Sequence, residues 1–168
     1  SSQQLAEEAV AGGVMTTAAD GAYRKVADHN PWQRFMVMWS DARIAADLTC
    51  YMNAFNDPRR EAYYGKNTFA TVSDDNYTGN QNTYVGLRRG IRQGEFNSWS
   101  HGYSTMKVTE TSDIVVFRAS EVAFLRAEGA LRGWNMGGTV KNLYEEGIRI
   151  SFEENDISEG LSTYLANT

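Results

Sequence analysis

The chain has 168 residues, 42% of them hydrophobic and 22% charged, and 16 Lys and Arg against 21 Asp and Glu give a net charge of −5. That acidic balance leaves no cationic surplus to displace phosphate counterions, which argues against a nucleic-acid partner. Cys50 stands alone, which excludes an internal disulfide and a cysteine zinc cluster, and the apolar runs fall far short of the ~18 residues that a membrane-spanning helix needs.

In chain order, residues 1–64 read as helices with a break. Leu5, Ala6, Ala9 and Val10 recur at helical spacing, and Gly12-Gly13 ends that helix. Residues 14–31 carry no firm period and close on Asn30-Pro31, where proline biases the preceding residue away from helix. A second helix is expected from a cap at Ser40, with Ile44, Leu48, Tyr51, Met52 and Phe55 at spacings of three and four and Cys50 as a small buried residue inside it. It stops before Pro58, and Asn56 or Asp57 is placed to cap a short turn that has Pro58 first.

Residues 65–113 differ in kind. They are dense in Gly, Asn, Ser and Thr, yet they hold Phe69, Tyr77, Tyr84, Phe96, Trp99 and Tyr103. A loop region this long in a compact domain points to function or to support from a larger structure, and the aromatics argue against disorder. Lys107-Val108-Thr109 allows a short strand.

Residues 114–168 are the clearest. A helix is predicted from Ser120 to Leu131 or Arg132, ended by Gly133, with Ala123, Phe124, Ala127, Ala130, Leu131 and Trp134 on its buried face. Glu121, Glu128 and Arg132 fall on the wet face, Glu128 and Arg132 in the favourable i,i+4 order. After Gly137-Gly138, Thr139 caps a helix that buries Val140, Leu143, Tyr144, Gly147, Ile150 and Ser151. Small residues on both stripes let the two helices approach as an antiparallel hairpin of tetratricopeptide size. A last helix is expected over 158–166. The expected fold class is all-α: tetratricopeptide-like helix pairs with long irregular loops, and one or two short strands in the loop region.

Enzyme motifs are largely missing: no G-x-S-x-G, H-E-x-x-H or G-x-x-x-x-G-K-[ST] occurs. His29 and His101 each sit in a polar turn, far apart in sequence. Gly86, Gly90 and Gly94 recur every four residues, but Arg88, Arg89 and Arg92 between them suit turns with solvated charges better than a helix contact. Asp74, Asn76 and Thr78 before Gly79 brush against the calcium-loop pattern, with Val85 where the twelfth, acidic ligand belongs. Asn76-Tyr77-Thr78 also spells a glycosylation sequon. Adjacent Asp74 and Asp75 rarely aim both carboxylates at one glycosidic bond. No catalytic residue, metal ligand or cofactor site is assigned. The remaining signal is flat rings beside amides and charges, which suits sugars because C–H faces stack on rings while polar groups answer hydroxyls. The candidate ligand residues are Trp32, Tyr77, Asn80, Tyr84, Trp99 and Tyr103.

Three strings taken together resemble the SusD/RagB-like family: SDARIAADLTCYMNAFNDPRREAYY over 40–64, YVGLRRG over 84–90, and ASEVAFLRAEGALRGW over 119–134 followed by GGTVKNLYEEGIRISFEEN and YLAN. The resemblance implies tetratricopeptide-like helix pairs with long loops, in a single domain of which 1–168 is part. It implies a non-catalytic, surface-exposed outer-membrane lipoprotein of a polysaccharide-utilisation system. Such a protein captures starch, other glycans or peptides and passes them to a SusC-type TonB-dependent transporter. Asp57-Pro58-Arg59 and the stretch from Glu121 to Glu128 are, by the same resemblance, scaffold. Family members are much longer and begin with a signal peptide and a lipid-bearing cysteine, whereas Ser1 opens directly into polar QQLAEE; the chain is therefore expected to be a piece of a longer protein, its membrane contact made only through an anchor outside these residues. The alternative reading is a helical protein–protein interaction module that uses the 120–154 hairpin.

Overall fold

Ser1 begins the first helix, α1 (Ser2–Gly12), by accepting the Gln4 N–H at 3.3 Å, and Gly13 ends it at φ 105°, a conformation that suits glycine. The structure is a computed structural model that describes residues 1–68, 82–92 and 102–167. The chain divides into two compact units, Ser1–Arg24 with Ile114–Thr168, and Lys25–Asp113.

In the first unit, a 3₁₀ turn (Ala18–Asp20) leads into strand β1 (Ala22–Arg24), which pairs antiparallel with β2 (Ile114–Phe117). Tyr23 faces Val115 and Ala22 faces Phe117, so Val116 is the extra residue of a bulge. The main helices are α5 (Ala119–Leu131) and α6 (Val140–Glu153), followed by α7 (Leu161–Ala166). Thr139 caps α6 as expected, its hydroxyl accepting the Asn142 N–H at 3.2 Å. Glu154, at the end of α6, reaches the start of α5: its carboxylate accepts the Ser120 N–H at 3.1 Å and the Ser120 hydroxyl at 2.6 Å, and Arg118 lies at 3.4 Å. An anion at a helix N-terminus meets unsatisfied N–H groups and the positive end of the dipole. That contact closes the antiparallel hairpin.

The hairpin packs through small residues. Ala119 and Ala123 meet Ile150, with Met15 against them, and Ala127 and Met136 meet Leu143, with Ala6 and Val10 of α1 over that cluster. A Cβ on Gly147 would stand 2.7 Å from the Phe124 ring. The expected faces are rotated in part. Leu131 is 73% exposed, and Val140 and Tyr144 are also exposed, whereas Gly129, Ile148 and Phe152 are buried. On α6, the last helix α7 packs alongside and sets Tyr164 5.7 Å from Phe152; on α5, Gly129 lies under Met136. That last helix starts at Leu161 rather than 158, because Gly160 turns through φ 78° just before it.

In the second unit, Asn30 is almost fully buried and organises a helix start that the sequence reading did not place. Its Oδ1 accepts the N–H groups of Trp32 and Gln33 at 2.8 and 3.3 Å, while its Nδ2 donates to the Ser112 carbonyl at 2.7 Å. Pro31, with no N–H to satisfy, is the first residue of α2 (Pro31–Gln33), which widens into a π-helical turn over Arg34–Met38. Ser40, at φ 58°, comes directly after that helix rather than capping the next. The next helix, α3 (Ala46–Ala54), has Ala45 as its N-cap, five residues later than the expected Ser40, because Leu87 pairs along residues 44–46. The Ala46 N–H donates to the Leu87 carbonyl at 2.9 Å and the Leu87 N–H to Ile44 at 2.7 Å.

Gly86 makes that pairing possible, since a Cβ there would lie 2.5 Å from the Ala46 Cα and 2.6 Å from the Ala45 carbonyl. So narrow a covering buries Thr49 and Met52 but leaves Leu48, Phe55 and the 70%-exposed Tyr51 in solvent. Cys50 is likewise exposed, not buried.

Asp57 then holds the turn into α4 (Arg60–Tyr63). It is buried, accepts the Arg59 N–H at 2.9 Å, and takes Arg59 Nε and Nη2 at 3.0 and 2.6 Å. Residues 107–109 form no strand; Met106 makes a single bridge to Tyr64, and Lys107 donates its N–H to the Tyr63 carbonyl. The loops are pinned by polar side chains. Asn67 accepts the Thr83 N–H at 2.9 Å and donates to the Gly102 carbonyl at 3.2 Å, and Ser104 accepts the Val85 N–H at 3.0 Å. Buried loop backbone requires such partners.

Candidate functional site

The site assembles in the second unit, around the end of the π-helical turn and the residues flanking Lys66 and Tyr103. Val37, Ser40, Arg43, Lys66, Thr68, Tyr103 and Thr105 enclose a cavity of about 160 Å³. That is below the ~300 Å³ lower range of drug-sized pockets and fits one small polar ring or substituent.

Arg43 is held at the wall by its own segment, Nη1 donating to the carbonyls of Ser40 and Ala42 at 3.0 and 2.8 Å. Burial pushes its pKa down from the ordinary value, although a guanidinium keeps its proton in a protein. Thr105 donates its hydroxyl to the Met36 carbonyl at 3.2 Å, tying this wall to the π-helical turn. Among the described residues, none that lines the cavity is a carboxylate.

Lys66 also belongs to a second cluster. Its Nζ lies 5.5 Å from the Tyr84 ring centre, Arg60 lies 5.1 Å from the same centre, and Tyr64 meets Tyr84 edge-on at 5.6 Å. Burial, and then a hydrogen bond to Glu61, push the Tyr84 phenol above its usual pKa; burial does the same to Tyr64. The Asn53 amide donates to the Tyr84 carbonyl at 2.9 Å. Tyr84 is thus a packed ring bracketed by cations.

The same unit carries an exposed apolar ridge on one helical segment: Trp32 (51% exposed), Phe35, Val37, Met38 and Trp39 (59% exposed). Arg34 sits 5.7 Å from the Trp39 ring centre. Val37 belongs to both the ridge and the cavity wall.

Of the sequence candidates, Trp32 lies on the ridge, Tyr103 on the cavity wall and Tyr84 on the far side of Lys66. Tyr77, Asn80 and Trp99 lie outside the described residues, as do Asp74 and Asp75 and the calcium-like pattern. Sequence reasoning missed Trp39, Arg43 and Lys66. The signal for Trp39 was present: an Asn-Pro helix start followed by a run of large apolar residues. No local signal brings Arg43 to Lys66, because their approach depends on long-range pairing. His29, at φ 56°, is exposed in a turn, 3.9 Å from Asp28.

The first unit holds a separate apolar groove of about 510 Å³, lined by α1 and α5 residues that include Ala6, Val10, Val122 and Leu125, together with Trp134 and Met136. It does not lie between α5 and α6, where Phe124 fills the space beside Gly147. Among the described residues, no helix is long and apolar enough to cross a membrane, and no group of three His, Cys, Asp or Glu is placed to hold a metal ion.

No curated protein matches the chain. Among solved structures, a SusD homologue from Bacteroides ovatus is 77% identical, with a TM-score of 0.93, over 100% of this chain and 34% of its own. A SusD homologue from Bacteroides thetaiotaomicron is 42% identical, with a TM-score of 0.83, over 96% of this chain and 32% of its own. A chitin-binding SusD homologue from Flavobacterium johnsoniae is 35% identical, with a TM-score of 0.81, over 96% of this chain and 32% of its own. The chain spans about a third of the length of these solved relatives. The family described as SusD-like, the Susd and RagB outer membrane lipoproteins, matches residues 1–168. With that match over its whole length, and with the helical fold shared with these homologues, the chain belongs to the SusD-like family.

Proposed function

We propose that this chain captures glycan as part of a surface-exposed outer-membrane lipoprotein, without cleaving it, and that the captured oligosaccharide passes to a SusC-type TonB-dependent transporter. The observation that carries this reading is the exposed ridge from Trp32 to Trp39, which shares Val37 with a polar, tyrosine-walled cavity. Rings left in water offer the flat apolar faces on which sugar C–H groups stack, and the hydroxyls and cations beside them answer sugar hydroxyls. Family membership supports it, as does the chitin-binding relative from Flavobacterium johnsoniae.

Calorimetric titration with a glycan panel tests the proposal. The expected result is saturable binding with no release of reducing ends, weakened about tenfold by Trp39→Ala or Tyr103→Ala, as the loss of one stacking ring implies. A flat response to every sugar, from this chain and from the longer protein alike, overturns it. A protein-docking role would use the first-unit groove instead; under the glycan reading, Leu125→Glu in that groove leaves sugar affinity unchanged.

A further inference from the structure

The π-helical turn sets an arginine against the exposed indole at its end. In an α-helix, side chains three and four residues apart are neighbours, and those five apart are not. Here the Trp39 N–H donates to the Arg34 carbonyl, five residues back, at 2.9 Å. That wider turn brings residue 39 beside residue 34, and the Arg34 guanidinium lies over the Trp39 ring, 5.7 Å from its centre, within cation–π range. The backbone around the ring is held in place. The Asp41 N–H donates to the Phe35 carbonyl at 3.1 Å, the Ser40 hydroxyl to the Val37 carbonyl at 3.4 Å, and the Thr105 hydroxyl to the Met36 carbonyl at 3.2 Å. Trp39 is still 59% exposed, which keeps ring surface in contact with solvent.

We infer that Arg34 is a positioning residue for glycan capture: it backs one face of the Trp39 indole, so that the other face is held ready for a sugar ring. This rests on the glycan reading above and adds how its stacking ring is set. An exposed indole on an unrestrained side chain samples several rotamers, and fixing one of them on binding costs affinity. A guanidinium seated on one face restricts that sampling before the ligand arrives, through an attraction that persists at exposed sites. Pi-helical turns are frequent at functional sites, and this one has a definite effect. A regular α-helical turn would set Trp39 over Phe35 and away from Arg34. Arg34 acts through the ring rather than on the sugar, so its contribution exists only while Trp39 is present.

A double-mutant cycle on the whole chain tests this, with affinity read by calorimetry against the members of the glycan panel that bind. Arg34→Ala, at an exposed position, is expected to weaken binding about threefold, with thermal unfolding unchanged. In the Trp39→Ala background the same substitution should leave affinity where it was. The indole N–H resonance of Trp39 should also move in ligand-free Arg34→Ala, while that of Trp134 in the first unit stays in place. Full affinity in Arg34→Ala overturns the inference, and so does an unmoved Trp39 resonance. An equal loss in the Trp39→Ala background overturns it too, because Arg34 would then touch the sugar itself. Trp39→Ala binding as tightly as the wild type has the same force, and it leaves glycan capture standing on other residues. No binding of any sugar, by this chain or by the longer protein, removes both the inference and the reading it rests on.

Discussion

At the scale of single residues, buried carboxylates with several donors carry much of the local order. Glu154 takes two hydrogen bonds from Ser120 and the charge of Arg118, with its side chain out of solvent. Removing it leaves a cation and a helix N-terminus without their partner, so Glu154→Ala should destabilise by about 2–4 kcal/mol in chemical denaturation. Exposed Glu159→Ala, by contrast, should stay within about 0.5 kcal/mol. Glu7 shows a surface version of the same chemistry. The Asn135 N–H, at 2.8 Å, and then the Gln3 amide hold its carboxyl below the usual carboxylate range. A folded pKa below the unfolded one means that its contribution is present at neutral pH and is lost as pH falls through the folded value. A carboxyl-carbon NMR titration should place the Glu7 midpoint below that of a free glutamate, and an unshifted midpoint would rule the contact out in solution. Cys50 corrects a sequence expectation: as an exposed thiol, it should react fully with a disulfide-exchange reagent in native buffer, whereas a buried one would wait for denaturant.

Elements here are shaped by what lies across from them. Gly86 and Gly129 both sit under close neighbours, but the neighbours differ. A Cβ on Gly86 meets backbone, the Ala46 Cα at 2.5 Å, whereas one on Gly129 meets the Met136 thioether at 2.6 Å. Backbone cannot step aside without breaking the pairing of Leu87 with residues 44–46, while a methionine side chain can change rotamer. Gly86→Ala should therefore cost about 1–3 kcal/mol, and Gly129→Ala, which also gains helix propensity, clearly less. Equal losses in thermal or urea unfolding would mean that the loop over α3 is not held there. The hairpin of α5 and α6 was legible because its period, caps and small-residue stripes are local. The start of α3 was not, because the Leu87 pairing that delays it lies some forty residues away.

For the whole molecule, the first unit leaves an apolar groove of about 510 Å³ in water. Exposed apolar concavities of this kind bind hydrophobic dyes, so the native chain should raise anilinonaphthalene sulfonate fluorescence, and Leu125→Glu should lower it without unfolding the hairpin. An unchanged signal would mean that the groove is filled in solution.

The sequence by itself determined the helical class, α1, the closing hairpin and the family resemblance, since each depends on spacing and capping within a few turns of chain. Tertiary structure alone decided which faces are wet, where α3 begins, that Cys50 is exposed, and that Arg43 and Lys66 share a cavity with Tyr103. Those outcomes depend on contacts between residues distant in sequence, and no local period encodes which neighbour will arrive.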